Sequence, residues 1–292
     1  MAKRLGLALL VLVTAGLWLT RPQRFDPASL PDHVPDPVNG ERLFHAGGCA
    51  SCHGNRLEGG LEISTAFGIF RVPNISPDPE AGIGGWDKLD FINAMKSGVS
   101  PAGRHYYPAF PYTSYARMRV EDLLDLKTWL DAYEPVSTAV RGHEISFPWT
   151  IRRGIGLWKR FYLDPSPVLD VPAEATQLQH GRYLVEAVSH CGECHTPRNR
   201  FGGLQTQYWL AGGSNPDGEG RVPNITPHRD GLADWSERDI SRYLKSGFTP
   251  EYDTVGGSMA DVQENLARLP DSDREAIAAY LLAVPPLPDT PD

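Results

Sequence analysis

All four cysteines of this 292-residue chain fall in one pattern used twice: Cys49-Ala50-Ser51-Cys52-His53 and Cys191-Gly192-Glu193-Cys194-His195. Two thiols three positions apart on one helical turn can reach the two vinyl groups of a porphyrin and form thioethers. The histidine directly behind them can then turn an imidazole nitrogen to the iron as its proximal ligand. A structural zinc site made from two cysteine pairs has no need of a histidine behind each pair. A thioredoxin-like pair would occur neither twice nor with that histidine. The spacing therefore specifies covalent attachment of two c-type haems, one at Cys49, Cys52 and His53 and one at Cys191, Cys194 and His195. Every cysteine is used, so no disulfide is expected.

The surrounding chain repeats as well, with a period near 150 that suits a doubled domain rather than a solenoid. Arg71-Val72-Pro73-Asn74-Ile75-Ser76-Pro77 returns as Arg221-Val222-Pro223-Asn224-Ile225-Thr226-Pro227, and Lys96-Ser97-Gly98 returns as Lys245-Ser246-Gly247. Before each cysteine motif a glycine is followed by apolar residues three and four positions on (Gly40, Leu43, Phe44; Gly181, Leu184, Val185), which line one helical face. Each copy closes with an acidic start and a helix-periodic apolar run: Glu121-Asp122 before Leu123, Leu126, Trp129 and Leu130, and Asp271-Ser272-Asp273 before Ile277, Tyr280 and Leu281. The glycine of the first helix would let a bulky aromatic of the last helix cross it closely. The expected fold is all-α, with two tandem haem domains at 38–140 and 173–286. Residues 1–20 read as a signal or membrane anchor, 21–37 as a Pro-rich tether, 141–172 as a connector and 287–292 as a tail.

Composition limits the partners. A net charge of −8 argues against nucleic acid or an anionic membrane surface as the main partner. Haem propionates would add to the acidity, which suits a basic docking patch on a redox partner. Met1-Ala2-Lys3-Arg4 and the apolar run Leu5 to Leu19 form a basic start and a hydrophobic region of the export-signal kind. No clean Ala-x-Ala cleavage site follows, and Trp18 and Arg21 suit a membrane interface, so an uncleaved anchor in the inner membrane is the expectation, with a cleaved signal as the alternative. Either way the protein is expected in the periplasm. The connector mixes Arg152, Arg153, Lys159 and Arg160 with Trp149, Trp158, Phe161 and Tyr162. It reads as a strap fixing the spacing of two haem domains; a docking surface for a dehydrogenase or a membrane is the rival reading.

Each half resembles a class I cytochrome c domain. The Val-Pro-Asn-Ile-(Ser/Thr)-Pro stretches, Gly82-Ile83-Gly84-Gly85-Trp86 and Tyr107-Pro108-Ala109-Phe110-Pro111-Tyr112 resemble the cytochrome c subunits of periplasmic alcohol, gluconate and nicotinate-type dehydrogenases, over about Val38 to Pro285. That resemblance implies a pair of crossed terminal helices beside each haem and a methionine as sixth ligand, which raises the potential. Met259 lies twelve residues after Gly247, in a loop before the final helix where the family's axial methionine belongs. The first copy has Phe110 at that register, and phenylalanine cannot bind iron. Met118 is the replacement expected there, with His105 or an open iron as the other possibilities; Met95 reads as core. The resemblance also implies that Pro73 and Pro223 offer carbonyls to His53 and His195. Arg71 and Arg221 could meet propionates or simply be solvated. The remaining histidines, at 33, 45, 143, 180, 190 and 228, read as surface or hydrogen-bonding residues.

With no Walker or dinucleotide loop and no paired His–Glu metal motif, the expected function is electron transfer; the resemblance implies a periplasmic dehydrogenase as donor and a soluble cytochrome or terminal oxidase as acceptor. A peroxidase-like enzyme with an open first haem is the alternative. A tethered subunit that recruits a dehydrogenase would coexist with the carrier role.

Overall fold

The computed structural model describes residues 2–215 and 220–290, so Met1 of the N-terminal segment and the last two residues of the tail lie outside the described residues. The chain opens with helix α1 (Ala2–Leu19), whose apolar side chains are largely exposed. Among the described residues no helix is long and apolar enough to cross a membrane. The stretch read as a tether does not run free: Phe25 N–H donates to Asn93 Oδ1 at 2.7 Å, and His33 Nε2 lies 2.6 Å from Asp125 Oδ1. Polar side chains on neighbouring helices hold this Pro-rich segment, which makes no ladder of its own.

Helix α2 (Pro37–Ala46) starts where Asp36 caps the Val38 N–H and Pro37 fills the first turn, which has no use for a proline N–H. After a left-handed Gly48, α3 (Cys49–His53) carries the first cysteine motif. A hairpin of β1 (Glu62–Thr65) and β2 (Gly68–Arg71) follows, then α4 (Lys88–Ser97), capped by Asp87 and ended by the left-handed Gly98. The short α5 (Tyr112–Tyr115) leads into α6 (Val120–Asp131), with Glu121 and Asp122 in its first turn. Strand β3 (Glu144–Ile145) pairs with β2 to complete a three-stranded antiparallel sheet. Helix α7 (Arg153–Tyr162) completes the connector.

The C-terminal half repeats the order. Helix α8 (Thr176–Tyr183) continues through a π turn over Leu184–Val188, and α9 (Gly192–His195) carries the second motif. Strands β4 (Gly213–Ser214) and β5 (Arg221–Val222) form a two-stranded antiparallel pair. Helix α10 (Glu237–Ser246) begins with a reciprocal Ser236–Asp239 capping box, and α11 (Met259–Leu266) and α12 (Asp271–Ala283) finish the half. Helices dominate, but the all-α expectation misses the two small sheets. Their strands are two to four residues long, too short to show an alternating pattern in the sequence.

Two crossings organise the helices: α2 on α6, and α8 on α12. At Gly40 an added Cβ would collide with the Asp125 carbonyl and crowd the Cβ of Trp129; at Gly181 it would collide with the Ala276 carbonyl and crowd the Cβ of Tyr280. Both glycines therefore let backbones meet, with the large aromatic of the last helix beside the gap. One buried cluster runs through both halves, from Leu43 and Phe44 through Leu123 and Leu126 to Leu184, Ile277 and Tyr280.

Candidate haem-binding sites

Each attachment turn is set by the helix before it. The left-handed Gly48 swings the chain out of α2, so that α3 presents Cys49, Cys52 and His53 from one short turn. In the second half His190, itself at positive φ, makes the same swing ahead of Cys191. None of the four cysteines is in a disulfide. Among the described residues no cluster of three or more His, Cys, Asp or Glu side chains could hold a bare metal ion.

The histidines are oriented alike. His53 Nδ1 lies 2.8 Å from the Pro73 carbonyl oxygen, and His195 Nδ1 lies 2.8 Å from that of Pro223. A proline carbonyl is suited to this task because the ring fixes its backbone. With Nδ1–H donated there, each imidazole keeps Nε2 as its free lone pair, the donor an iron requires. Burial holds both rings neutral: His195 falls below its ordinary value and His53 falls to about 4. Around the turns, Cys49, Ala50, Ile75, Trp86 and Phe110 on one side and Cys191, Ile225, Trp235 and Met259 on the other pack against the apolar core. Two thiols, one neutral imidazole and an apolar cradle fit a thioether-linked haem at each turn.

The repeated Asn74 and Asn224, whose side chains no motif marks as functional, each lock the loop that holds the histidine. Asn74 Nδ2 donates to Val136 O at 2.6 Å while its Oδ1 accepts from the Ser76 N–H; Asn224 Nδ2 donates to Leu287 O at 2.8 Å while its Oδ1 accepts from the Thr226 N–H. Their recurrence within the repeated heptad is the one signal of this role in the sequence. The same bonds fix residue 287 of the segment read as a tail.

The arginines differ. Arg71 is 6 % exposed, and its guanidinium is spent inside the protein on Glu62 (2.7 Å), Glu144 (2.6 Å) and the Gly142 carbonyl (2.5 Å). Those acceptors lie on β1 and at the connector's start, so Arg71 fastens β3 to the hairpin, a partner set no local pattern announces. Arg221 donates from Nη2 to Thr290 O at 2.7 Å.

Of the two methionines expected as sixth ligands, Met118 is buried at 2 % exposure between α5 and α6, while Met259 opens α11 and is partly buried. Phe110 packs among Tyr106, Tyr112 and Tyr115. Both ring nitrogens of His105 are engaged, Nε2 with Thr20 O at 3.0 Å and Nδ1 with Lys159 Nζ at 3.2 Å, which leaves no lone pair for a metal. Met95 lies within α4 in the core.

The third residue of each motif reaches into the opposite half. Glu193 accepts from Thr113 Oγ1 (2.6 Å) and Ser114 Oγ (2.9 Å) of α5, and Arg198 closes on its other oxygen. Burial alone would raise this carboxyl; the Arg198 charge and the two hydroxyls outweigh it and hold it below its ordinary value. Ser51 Oγ accepts from Asn265 Nδ2 of α11 at 3.1 Å.

Comparison with known proteins agrees with this geometry. Residues 37–133 match the cytochrome c family model. The chain is 50 % identical over 290 residues to a dihaem c-type cytochrome of Cereibacter sphaeroides, covering 96 % of this chain and 97 % of that one. It is 35 % identical to the fructose dehydrogenase cytochrome subunit of Gluconobacter japonicus, over 94 % of this chain and 58 % of that protein. It is also 35 % identical to the gluconate 2-dehydrogenase cytochrome c subunit of Pantoea cypripedii, over 83 % of this chain and 58 % of that protein. The chain thus spans little more than half the length of these two dehydrogenase relatives. It belongs to the dihaem c-type cytochromes, carries two covalently bound haem c groups, and is by that membership an electron-transfer protein.

Proposed function

We propose that the chain is two cytochrome c units that relay electrons from a periplasmic dehydrogenase to a downstream cytochrome or oxidase. The observation that carries this reading is the duplicated proximal site, a cysteine pair with a neutral imidazole aimed by a proline carbonyl, on two halves that share one core. The dehydrogenase as donor rests on the relatives, which are cytochrome subunits of fructose, alcohol and gluconate dehydrogenases. The haems supply one-electron chemistry. The chain's own residues hold the thioethers, keep each imidazole neutral and oriented, and exclude water with the apolar cradle.

Met118 and Met259 are the sixth ligands in this reading, each in the segment ahead of a final helix. The use of both His105 nitrogens elsewhere supports Met118 over His105, and the carbon monoxide test below addresses an open iron. Helix α1, basic at its start and apolar along its exposed length, serves export to the periplasm and, if retained, attachment to the inner membrane. The test is the optical spectrum of the dithionite-reduced protein before and after carbon monoxide. Two six-coordinate haems that ignore the gas, with no peroxide turnover, are the expected result. A haem that binds the gas freely and turns over peroxide would overturn the carrier reading in favour of a peroxidase-like enzyme.

A further inference from the structure

Both attachment turns make contacts across to the opposite half. Glu193, third residue of the second motif, is 8 % exposed and grips the Thr113 and Ser114 hydroxyls at 2.6 and 2.9 Å, with Arg198 on its far oxygen. Ser51, third residue of the first motif, meets Asn265 at 3.1 Å. The Gly47 carbonyl, two residues before Cys49, lies 3.3 Å from Nε2 of His190, the residue before Cys191, and that ring stands edge-on to Tyr115 at 5.6 Å. The arrangement is reciprocal: each turn touches the short helix that carries the other half's distal segment, α5 ahead of Met118 and α11 beginning at Met259.

The two contacts are unequal. Helix α5 has four residues and no side-chain cap at its start, so its position depends on tertiary contacts. Its contact with Glu193 is buried and charge-assisted, twice over, which makes it the stronger kind of hydrogen bond and an expensive one to break. Helix α11 is twice as long and meets Ser51 through one neutral bond. Influence should therefore run mainly from the second attachment turn to the first distal segment.

We propose that Glu193 is a positioning residue for the distal side of the first haem: although it belongs to the second haem's attachment motif, it sets the place of α5 and thereby how firmly the first iron is closed. This rests on the reading of the α5–Met118 segment as that haem's distal side. The test counts carbon monoxide on the reduced two-haem protein, with haem content checked as the pyridine adduct. Met259→Ala should open the second haem and take up one equivalent. Adding Glu193→Gln should let the first haem take up the gas as well, raising the count from one equivalent towards two. Thr113→Val with Ser114→Ala should do the same from the other side, and it keeps the test intact if Glu193→Gln impairs haem attachment. The proposal is overturned if these variants leave the first haem's uptake unchanged, or if Glu193→Gln alters only the haem that Met259→Ala opens. Met118→Ala separates the underlying reading: if the first haem stays closed in that variant, Met118 is not its ligand, while the Glu193 result still decides whether α5 sets the distal side.

Discussion

At the scale of single residues, Lys159 shows how much this protein spends on fixing loops around its sites. The residue is 9 % exposed, and its ammonium donates to the Ser97 and Gly98 carbonyls at 2.6 and 2.8 Å and to His105 Nδ1, and sits 4.6 Å over the Tyr112 ring. Burial pushes it from an ordinary 10.5 down to about 7. A lysine whose native value is depressed is protonated in the unfolded chain at pH values where the native protein has already released the proton. Stability should therefore rise with pH between about 7 and about 10, by as much as ~1.4 kcal/mol per unit, and the native penalty is fully present below 7. Comparing chemical denaturation of the wild type with Lys159→Met across that range isolates the effect. The wild-type curve should climb relative to the variant, and parallel curves would refute the depressed value.

At the scale of elements, the connector is ambiguous in sequence, and in the structure it contacts both halves. Lys159 ties α7 to the first half, Trp158 Nε1 donates to Phe201 O at 2.9 Å in the second, and Asn199 Nδ2 meets the Tyr162 hydroxyl at 3.0 Å. Further on, the buried Glu186 takes the Val168 and Leu169 N–H groups at 2.7 and 3.0 Å and the Tyr280 hydroxyl at 2.6 Å. Such contacts would serve a strap, whereas Phe161 of the same helix is 74 % exposed. Trp158→Ser should accordingly cost about 2 kcal/mol, less than a fully buried tryptophan, and Phe161→Ser should stay within about 0.5 kcal/mol, both read from thermal unfolding of the haem-loaded protein. A large loss at Phe161 would mean that the aromatic face also packs. The helices and proximal residues were legible because haem attachment demands fixed spacing and the crossings demand Gly40 and Gly181. The cross-half partners of Glu193 and Arg42, and the connector partners of Arg71, were not, since they join residues 71 to 231 positions apart and carry no periodicity. At the third position of the attachment motifs the repeat gives no help either, since Ser51 and Glu193 differ.

At the scale of the molecule, the question is whether two haem-bearing halves behave as one body. Arg42 on α2 forks onto Asp273 in the first turn of α12, with both bonds at 2.5 Å, and His180 on α8 adds a third contact to the same carboxylate at 2.9 Å. Asp273 is 1 % exposed, so its charge is tolerable only while it is paired. Arg42 retains partial exposure, which lowers the value of the pair below that of a wholly buried one. Arg42→Met should thus cost about 2–3 kcal/mol, and it should do so at the seam rather than inside either half. Calorimetry of the wild type should show one cooperative transition, because one apolar cluster spans both halves. In Arg42→Met the transition should broaden or split, as the half whose α12 carries the stranded carboxylate opens first. Adding Asp273→Asn should restore part of the loss, since it removes the unpaired charge. A wild type that already melts in two steps would mean that the seam does not make the halves cooperative, and the spacing of the halves would then rest more on α7 and the attachment-turn contacts.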